Sequence, residues 1–327
     1  MNALKSKKNL GAVLGEYGAF IALALLVIVL SIIEPSFRAP SNLMNLLRQA
    51  SFNGLIAFGM TLVILSDGID LSVGSVFALS AIICAELLMA GIPAVLAVLI
   101  ALIVGTLLGA ISGLLVTKGR LQPFIATLIT MTAYRGLAMI LTDGKPISRL
   151  AESATSGAFL FKALGKGNLV STFNESIKIP IPALILIVAF AIFYFFLNHT
   201  TYGRRIYATG SNAKCATLVG VNTSKIKISV YAISGFMSAL AGLIMISRVN
   251  SAQPTLGSGY ELDAIAAVAL GGTSMSGGRG KITGTVAGVL IIAVLNNGLN
   301  IMEVQSYYQD VIKAIVILVA VLSDRKR

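Results

Sequence analysis

The sequence predicts an all-helical, polytopic membrane protein of about ten transmembrane helices. Three observations support this fold class: 56% of the 327 residues are hydrophobic, only 12% are charged, and the apolar residues form long runs. So few charged side chains cannot cover the surface of a water-soluble protein of this size. The composition therefore indicates a lipid bilayer as the solvent.

Each apolar run is assigned as one span, because a helix that crosses a bilayer needs roughly 17 to 25 apolar residues. The predicted spans are 17–33, 43–66, 71–89, 94–117, 123–142, 181–198, 229–248, 259–276, 283–302 and 308–323. The first run has an alternative, a secretory signal peptide, since Lys5, Lys7 and Lys8 precede it. We favour an uncleaved span because the end of the run, directly before Glu34, lacks a small-x-small cleavage pattern.

The lysine and arginine residues predict the orientation. With these spans, 15 of them lie on the ends and loops of one side, and only 6 lie in the loops of the other side. The richer side is cytoplasmic by the positive-inside rule. We therefore expect both termini in the cytoplasm and one transmembrane domain over residues 1–327. In it, residues 1–16 form a cytoplasmic segment, 143–180 a long periplasmic loop and 199–228 a second cytoplasmic segment.

Several functional classes are disfavoured by the residues themselves. His199 is the single histidine, which removes the usual zinc, Ser/His/Asp and Cys/His arrangements. The basic residues form short clusters between apolar runs, which argues against nucleic acid as a partner. The stretch nearest to a phosphate-binding loop, 277–282, has Met275 in place of the first glycine and Ile282 in place of Ser or Thr. We expect no enzyme activity, and no metal, ATP or other cofactor bound by this chain.

A short repeat links the two halves of the sequence. The pattern Gly-Thr-x-x-Gly occurs at 105–109 and again at 284–288, five predicted spans later. An offset of five spans reverses the direction through the membrane, so the match predicts an inverted repeat. The alternative is the general demand for small residues where helices touch.

Two aspartates interrupt the apolar runs in the stretch 66–75, SDGIDLSVGS. The preferred interpretation is a cytoplasmic turn, in which Asp67 and Gly68 reverse the chain and Asp70 caps the next helix. The alternative is a helix broken inside the membrane, with both carboxylates lining a polar path.

The same region carries a family resemblance. The stretches 59–65 (GMTLVIL) and 68–75 (GIDLSVGS) resemble the signature of bacterial sugar ABC-importer permeases. Residues 251–254 (SAQP), 259–268 (GYELDAIAAV), 271–274 (GGTS) and 295–300 (LNNGLN) resemble the ribose-type branch. The resemblance extends from about residue 42 to the C-terminus and thins in the long loop.

This resemblance implies an importer in a bacterial inner membrane. A second copy of the chain completes the pathway, a separate ABC ATPase binds ATP and Mg²⁺, and a periplasmic sugar-binding protein delivers the cargo. Ribose is the expected sugar. The alternatives are the same machinery for xylose, arabinose, galactose or an autoinducer-type sugar, and an ion-gradient-driven transporter. Membrane lipid is the remaining partner.

The segment 203–221 is predicted to form a short helix, with Ser211 or Asn212 as its cap and Gly220 as its end. The resemblance implies that it couples the permease to the ATPase. The alternative is a helix that lies on the lipid headgroups. The residues assigned to ATPase contact are Asn212, Ala213, Ala216, Leu218 and Gly220.

A sugar path should offer hydroxyl and amide groups without binding tightly. The candidates in the spans are Gln49, Asn53, Thr61, Thr127, Thr130, Asn296 and Asn297. Ordinary hydrogen bonding between helices is the alternative role for these side chains. Charges inside spans also need a partner, since each costs about 2.5 to 3.5 kcal/mol at the bilayer centre. The charge candidates are a Glu86–Arg135 pair, whereas Asp310 and Lys313 are expected to pair along one helix.

Overall fold

The fold is described by a computed structural model that covers residues 2–153, 156–170 and 178–324. These ranges contain fourteen α-helices, a 3₁₀ turn at Pro35–Arg38 and four short strands. The helices are α1 Asn2–Ile33, α2 Pro40–Leu65, α3 Val73–Met89, α4 Ala94–Thr117, α5 Pro123–Thr142, α6 Leu150–Ser153, α7 Ala158–Lys166, α8 Ile181–His199, α9 Thr201–Ser211, α10 Ala213–Leu218, α11 Thr223–Val249, α12 Tyr260–Leu270, α13 Ile282–Ile301 and α14 Ser306–Asp324.

The polytopic helical fold is confirmed. Among the described residues, six helices are long and apolar enough to cross a membrane: α2, α4, α5, α8, α11 and α13. Two shorter apolar helices, Tyr17–Ile33 within α1 and Val73–Met89, match the first and third predicted spans. The structure reproduces the predicted limits of α4 and α5.

The eighth predicted span, 259–276, is wrong as a continuous crossing helix. Only Tyr260–Leu270 is helical there, and 11 residues rise about 16 Å, roughly half of the hydrocarbon thickness. Gly257 and Gly259 precede this helix, and Gly272 follows it, all with positive φ angles. Glycine adopts this left-handed backbone without steric cost, so these positions interrupt the helix on both sides.

The long helix α11 lies at the centre and packs against α2, α3, α4 and α7. Helix pairs in the first half of the chain have corresponding helix pairs in the second half. Helix α3 packs on α4 as α12 packs on α13, and α4 packs on α11 as α13 packs on α2. Helix α3 also contacts α11, as α12 contacts α2.

Both Gly-Thr-x-x-Gly motifs lie at the closest of these contacts. A Cβ atom added to Gly109 on α4 would lie 2.2 Å from the carbonyl oxygen of Tyr231 on α11. A Cβ atom added to Gly288 on α13 would lie 1.8 Å from the carbonyl oxygen of Ala267 on α12. The two motifs therefore serve the same purpose, because only glycine lets the helix backbones approach so closely.

One end of the bundle carries the described residues between α5 and α8 (143–153, 156–170 and 178–180) and is named the loop face. Here β1 (Ile147–Ser148) pairs antiparallel with β4 (Ser251–Ala252), and β2 (Asn168–Val170) pairs antiparallel with β3 (Lys178–Pro180). These strands are a small departure from the all-helical prediction. Asn250, which follows α11, bonds to α6. Its Nδ2 donates to Glu152 (2.9 Å), and its Oδ1 accepts from the Ala151 N–H (2.9 Å). The hydrogen bond from Asn250 lowers the pKa of Glu152.

The opposite end carries α9 and α10 and is named the α9–α10 face. The loop between α12 and α13, residues 271–281, meets the end of α2 there, where the Gly278 N–H donates to the Leu65 carbonyl oxygen (3.0 Å). Lys227 at the start of α11 donates to the Asp67 carbonyl oxygen (3.1 Å). Residues that the sequence assigns to one side of the membrane are thus together at one end of the bundle.

Candidate functional site

A polar cavity of about 450 Å³ lies where α2, α11, α12, α13 and α14 meet. Small-molecule sites commonly measure roughly 300–1,000 Å³, so the cavity is large enough for one small ligand. Amide, phenol and charged side chains form most of its wall. The lining residues are Gln49, Phe52, Asn53, Met245, Arg248, Val249, Tyr260, Asp263, Asn296, Asn300, Gln309 and Lys313.

Three of the seven predicted pathway residues line this cavity: Gln49, Asn53 and Asn296. Two of them also have an unpaired atom, because the buried Oδ1 atoms of Asn53 and Asn296 have no hydrogen-bond partner. Leaving a buried acceptor unpaired costs about 1–3 kcal/mol. A hydroxyl donor from a ligand or a water molecule would remove that cost.

The other four predicted pathway residues lie away from the cavity and bond within the protein. Asn297 exchanges two amide hydrogen bonds with Asn42 (2.9 and 2.8 Å). Thr61 pairs with the hydroxyl of Thr285 (2.9 Å) and joins α2 to α13. Thr127 and Thr130 on α5 are buried; the Thr127 hydroxyl donates to the Ile69 carbonyl oxygen (3.3 Å), and the Thr130 hydroxyl accepts from Ser112 on α4 (3.0 Å). These four side chains therefore bond to other segments of the bundle, which is the alternative role.

The cavity also contains charged groups. Lys313 pairs with Asp310 on its own helix (2.9 Å), as predicted, and also approaches Asp263 on α12 (3.7 Å). The sequence suggested no partner for Asp263 from α14, because the two residues are 50 positions apart. Arg248 adds a second cation to the same wall. The carboxylate and the cations can bind sugar hydroxyl groups, since the former accepts and the latter donate hydrogen bonds.

Aromatic rings complete the wall, and sequence reasoning missed them. Tyr260 stacks on Phe52 with ring centroids 5.7 Å apart and meets Phe77 edge-on at 5.4 Å. Tyr260 and Phe52 both line the cavity. The one available signal was the position of Tyr260 in the family-like stretch 259–268, at the start of a helix.

The predicted Glu86–Arg135 pair is not formed. Glu86 is exposed, whereas the Nη1 atom of Arg135 donates to the carbonyl oxygens of Pro254 (2.5 Å) and Leu256 (2.7 Å). These carbonyl groups belong to the irregular segment that precedes α12, where no helical partner exists for them. Arg135 therefore fixes the backbone of the non-helical segment before α12.

The two aspartates of the stretch 66–75 have different surroundings. Asp67 is exposed and adopts a left-handed conformation (φ 60°), in agreement with the predicted turn. Asp70 is only 1% exposed, so its carboxylate lies inside the bundle and not at a cytoplasmic surface. Its Oδ1 accepts from the N–H and the hydroxyl of Ser72 (3.0 and 2.6 Å), and its Oδ2 accepts from Ser234 on α11 (2.9 Å).

The first turn of α3 meets the segment before α12 and the first turn of α12. A Cβ atom added to Gly74 would lie 2.2 Å from the carbonyl oxygen of Gly257 and 2.5 Å from Oε2 of Glu261. The N-terminal ends of α3 and α12 are thus adjacent, and carboxylates lie near both. Negative groups are favourable at helix N-termini because of the helix dipole.

The predicted coupling segment consists of two helices, α9 and α10. Asn212 caps α10, as its Oδ1 accepts the Cys215 N–H (3.0 Å), and Gly220 ends it with a φ of +84°. Ala213 is partly exposed at the start of α10, whereas Ala216 is 4% exposed and faces the protein interior. Its expected contact with a partner is therefore wrong. Leu218, also assigned to that contact, is 86% exposed.

Helix α9 connects α10 to the bundle. The Tyr207 hydroxyl donates to the Gly280 carbonyl oxygen (2.9 Å), and burial raises the pKa of Tyr207. A Cβ atom added to Gly210 would lie 1.8 Å from the Leu65 carbonyl oxygen and 2.7 Å from the Gly278 nitrogen. Helix α9 therefore packs directly on the end of α2 and on the 271–281 loop.

No metal site accompanies these features in the described part of the chain. Nowhere in it do three or more His, Cys, Asp or Glu side chains come together in a group that would hold a metal ion. A second cavity, of about 340 Å³ between α2, α8 and α11, has only apolar side chains in its wall. The polar cavity is therefore the better candidate for a hydroxylated ligand.

The chain is similar in sequence to known transport permeases. Residues 42–321 match the family model described as branched-chain amino acid transport system / permease component. The chain is 52% identical to the ribose import permease protein RbsC of Bacillus subtilis over 96% of this chain and 94% of the relative. No solved structure matches the chain significantly.

Two further relatives define the range of similarity. The ribose import permease protein RbsC of Haemophilus influenzae is 50% identical, over 98% of this chain and 96% of that protein. The D-allose transport system permease protein AlsC of Escherichia coli is 38% identical, over 95% and 91%. The resemblance found in the sequence is thus confirmed over nearly the whole chain, which belongs to the branched-chain amino acid transport system permease family.

Proposed function

We propose that this chain is the membrane-spanning permease subunit of an ATP-driven sugar importer, with ribose as its cargo. The observation that carries the proposal is the 52% identity to a ribose import permease over 96% of the chain. The chain contributes the path and performs no chemistry itself. The D-allose relative, at 38% identity, keeps a different monosaccharide as the alternative cargo.

The polar cavity forms part of the sugar path in this proposal. Asn53, Asn296 and Asp263 supply acceptors for hydroxyl groups, and Tyr260 offers a ring face. The same wall contains donors in Lys313 and Arg248. A site with alternating donors and acceptors binds a sugar weakly when each contact replaces a bond to water, and weak binding favours release.

In this proposal the chain crosses a bacterial inner membrane ten times, and both termini lie in the cytoplasm. The eighth crossing consists of α12 and its flanking irregular segments rather than one helix. The helix contacts support an inverted repeat of α2–α5 and α11–α14, since each helix pair in one half has a counterpart in the other. The loop face is periplasmic and the α9–α10 face is cytoplasmic, as the distribution of basic residues favours.

The partners are a second copy of the chain, a periplasmic sugar-binding protein and a cytoplasmic ABC ATPase that binds ATP and Mg²⁺. Leu218 and Val219 support the last of these, because they are 86% and 79% exposed at the tip of α10. Two adjacent exposed aliphatic side chains on a basic, water-facing segment fit a hydrophobic groove on a partner protein.

The test is uptake of labelled ribose in cells that lack their own permease but retain the receptor and the ATPase. Restoring this chain should restore uptake, with poor competition by xylose and galactose. Depletion of ATP should abolish it, whereas a protonophore that leaves ATP intact should not. Loss with the protonophore alone would indicate a gradient-driven carrier, and absence of ribose uptake would move the proposal to another sugar.

A further inference from the structure

Helix α7 (Ala158–Lys166) is tied at both ends to the first residues of two candidate spans. The N–H of Ala94, which begins α4, donates to the Ser156 carbonyl oxygen (3.0 Å). The N–H of Ile181, which begins α8, donates to the Gly167 carbonyl oxygen (2.9 Å). Helix α7 therefore lies at the level where both spans begin. This level corresponds to the boundary between lipid headgroups and hydrocarbon, because spans have the length of the hydrocarbon layer.

The inner side of α7 is fixed to the last turns of α11. Phe161 is 2% exposed and belongs to the apolar core. The Gly165 N–H donates to the Ser247 hydroxyl (2.9 Å), and a Cβ atom added to Gly165 would lie 2.4 Å from the Arg248 nitrogen. Such a close backbone contact holds the helix in one orientation.

The outer side of α7 presents large apolar side chains without a partner in the described structure. Phe159 is 81% exposed and Leu160 is 59% exposed. The two flanking spans also expose large apolar side chains, since Leu96 on α4 is 51% exposed and Ile187 on α8 is 59% exposed. An aqueous surface at this position would leave these apolar side chains in water, which is unfavourable.

Two cations on α7 suit the same surroundings. Lys162 and Lys166 are exposed, and each can extend its alkyl stem along apolar surface while the ammonium group reaches polar surroundings. Aromatic and aliphatic residues beside lysines are typical of helices that lie in the membrane interface. Glu152 lies near both lysines, so the local charge is balanced in part.

We propose that α7 is an interfacial helix, with Phe159 and Leu160 inserted among phospholipid acyl chains and Lys162 and Lys166 at the phosphate groups. The lipid surface then supports α11 through the contact of Gly165 with Arg248, and Arg248 lines the polar cavity. This role does not depend on which sugar the chain carries.

The test uses the absence of tryptophan from the sequence. Phe159→Trp in the full-length chain, reconstituted in phospholipid nanodiscs, places one fluorophore on the proposed lipid contact. Its emission should be quenched by lipids brominated near the glycerol end of the acyl chains and should resist aqueous iodide. Ile187→Trp is the lipid-facing control, and Leu218→Trp on α10 is the control expected to respond to iodide and not to brominated lipid.

Iodide quenching of the Phe159→Trp variant without lipid quenching would overturn the proposal, because the helix would then face water. Protection from both quenchers would also overturn it, since a second copy of the chain or another protein would then cover the helix. Leu160→Trp repeats the measurement if the first variant does not fold.

Discussion

Replacing Asp70 with alanine should destabilise the fold strongly, although the residue lies in the non-helical segment between α2 and α3. Alanine removes the acceptor of three hydrogen bonds, one from the Ser72 N–H and one each from the hydroxyl groups of Ser72 and Ser234. The backbone donor cannot rotate to another acceptor, and an unpaired buried donor costs about 1–3 kcal/mol. With partial losses at the two hydroxyl groups, the free energy of unfolding should fall by about 2 to 5 kcal/mol.

The assay measures unfolding in mixed detergent, with the chemical modification of one buried thiol as the readout. Cys84 is buried and Cys215 is exposed, so Cys215→Ser leaves a single reporter that reacts only after unfolding. Asp70→Asn should cost less than Asp70→Ala, because the amide oxygen still accepts from Ser72 and the amide group can donate to Ser234. Asp67→Asn is the matched control on the exposed side of the same segment, with an expected change within about 0.5 kcal/mol. Equal effects of the Asp67 and Asp70 variants would refute the reasoning.

Three further predictions address the cavity, the partner surface and the segment before α12. Asn53→Ala should reduce ribose uptake with little loss of stability. Asn297→Ala should instead lower the free energy of unfolding by about 1 to 3 kcal/mol, since it removes the donor to the Asn42 Oδ1; the reverse pattern would contradict the cavity assignment. Leu218→Asp should abolish ATP-dependent uptake without changing the unfolding transition, and unchanged uptake would remove α10 as the partner surface. Arg135→Leu should lower the free energy of unfolding by about 2 to 5 kcal/mol, measured by Cys84 modification, because the carbonyl oxygens of Pro254 and Leu256 lose their donor; a neutral result would show that other groups hold the segment before α12.

The sequence predicts the long helices well because their ends are marked by charges and prolines. Helix α5 begins at Pro123 and ends before Asp143, and both limits are visible in the printed sequence. The non-helical segments on both sides of α12 have no comparable signal, since residues 259–276 are apolar enough for a span. The position of the segment before α12 depends on the donors that Arg135 brings from α5, 119 and 121 residues away.

The adjacent residues Asn296 and Asn297 illustrate the limit for the site. Neighbours on a helix point about 100° apart, so adjacent residues need not face the same cavity, and here Asn296 lines it whereas Asn297 does not. The sequence does not show which one, because the answer depends on Asn42, 255 positions away, which pairs with Asn297. Polar residues in spans can therefore be found from sequence, whereas their roles require the packing partner.

The loop at 271–281 connects α9 with a wall of the cavity. Helix α9 contacts this loop through Gly210 and Tyr207, so α9 cannot move towards the bundle without displacing it. The loop continues from α12, whose Asp263 and Tyr260 line the cavity. A continuous span would have to bend to transmit such a displacement. An 11-residue helix with glycine turns on both sides can instead tilt as a unit, because glycine absorbs the change in backbone angles.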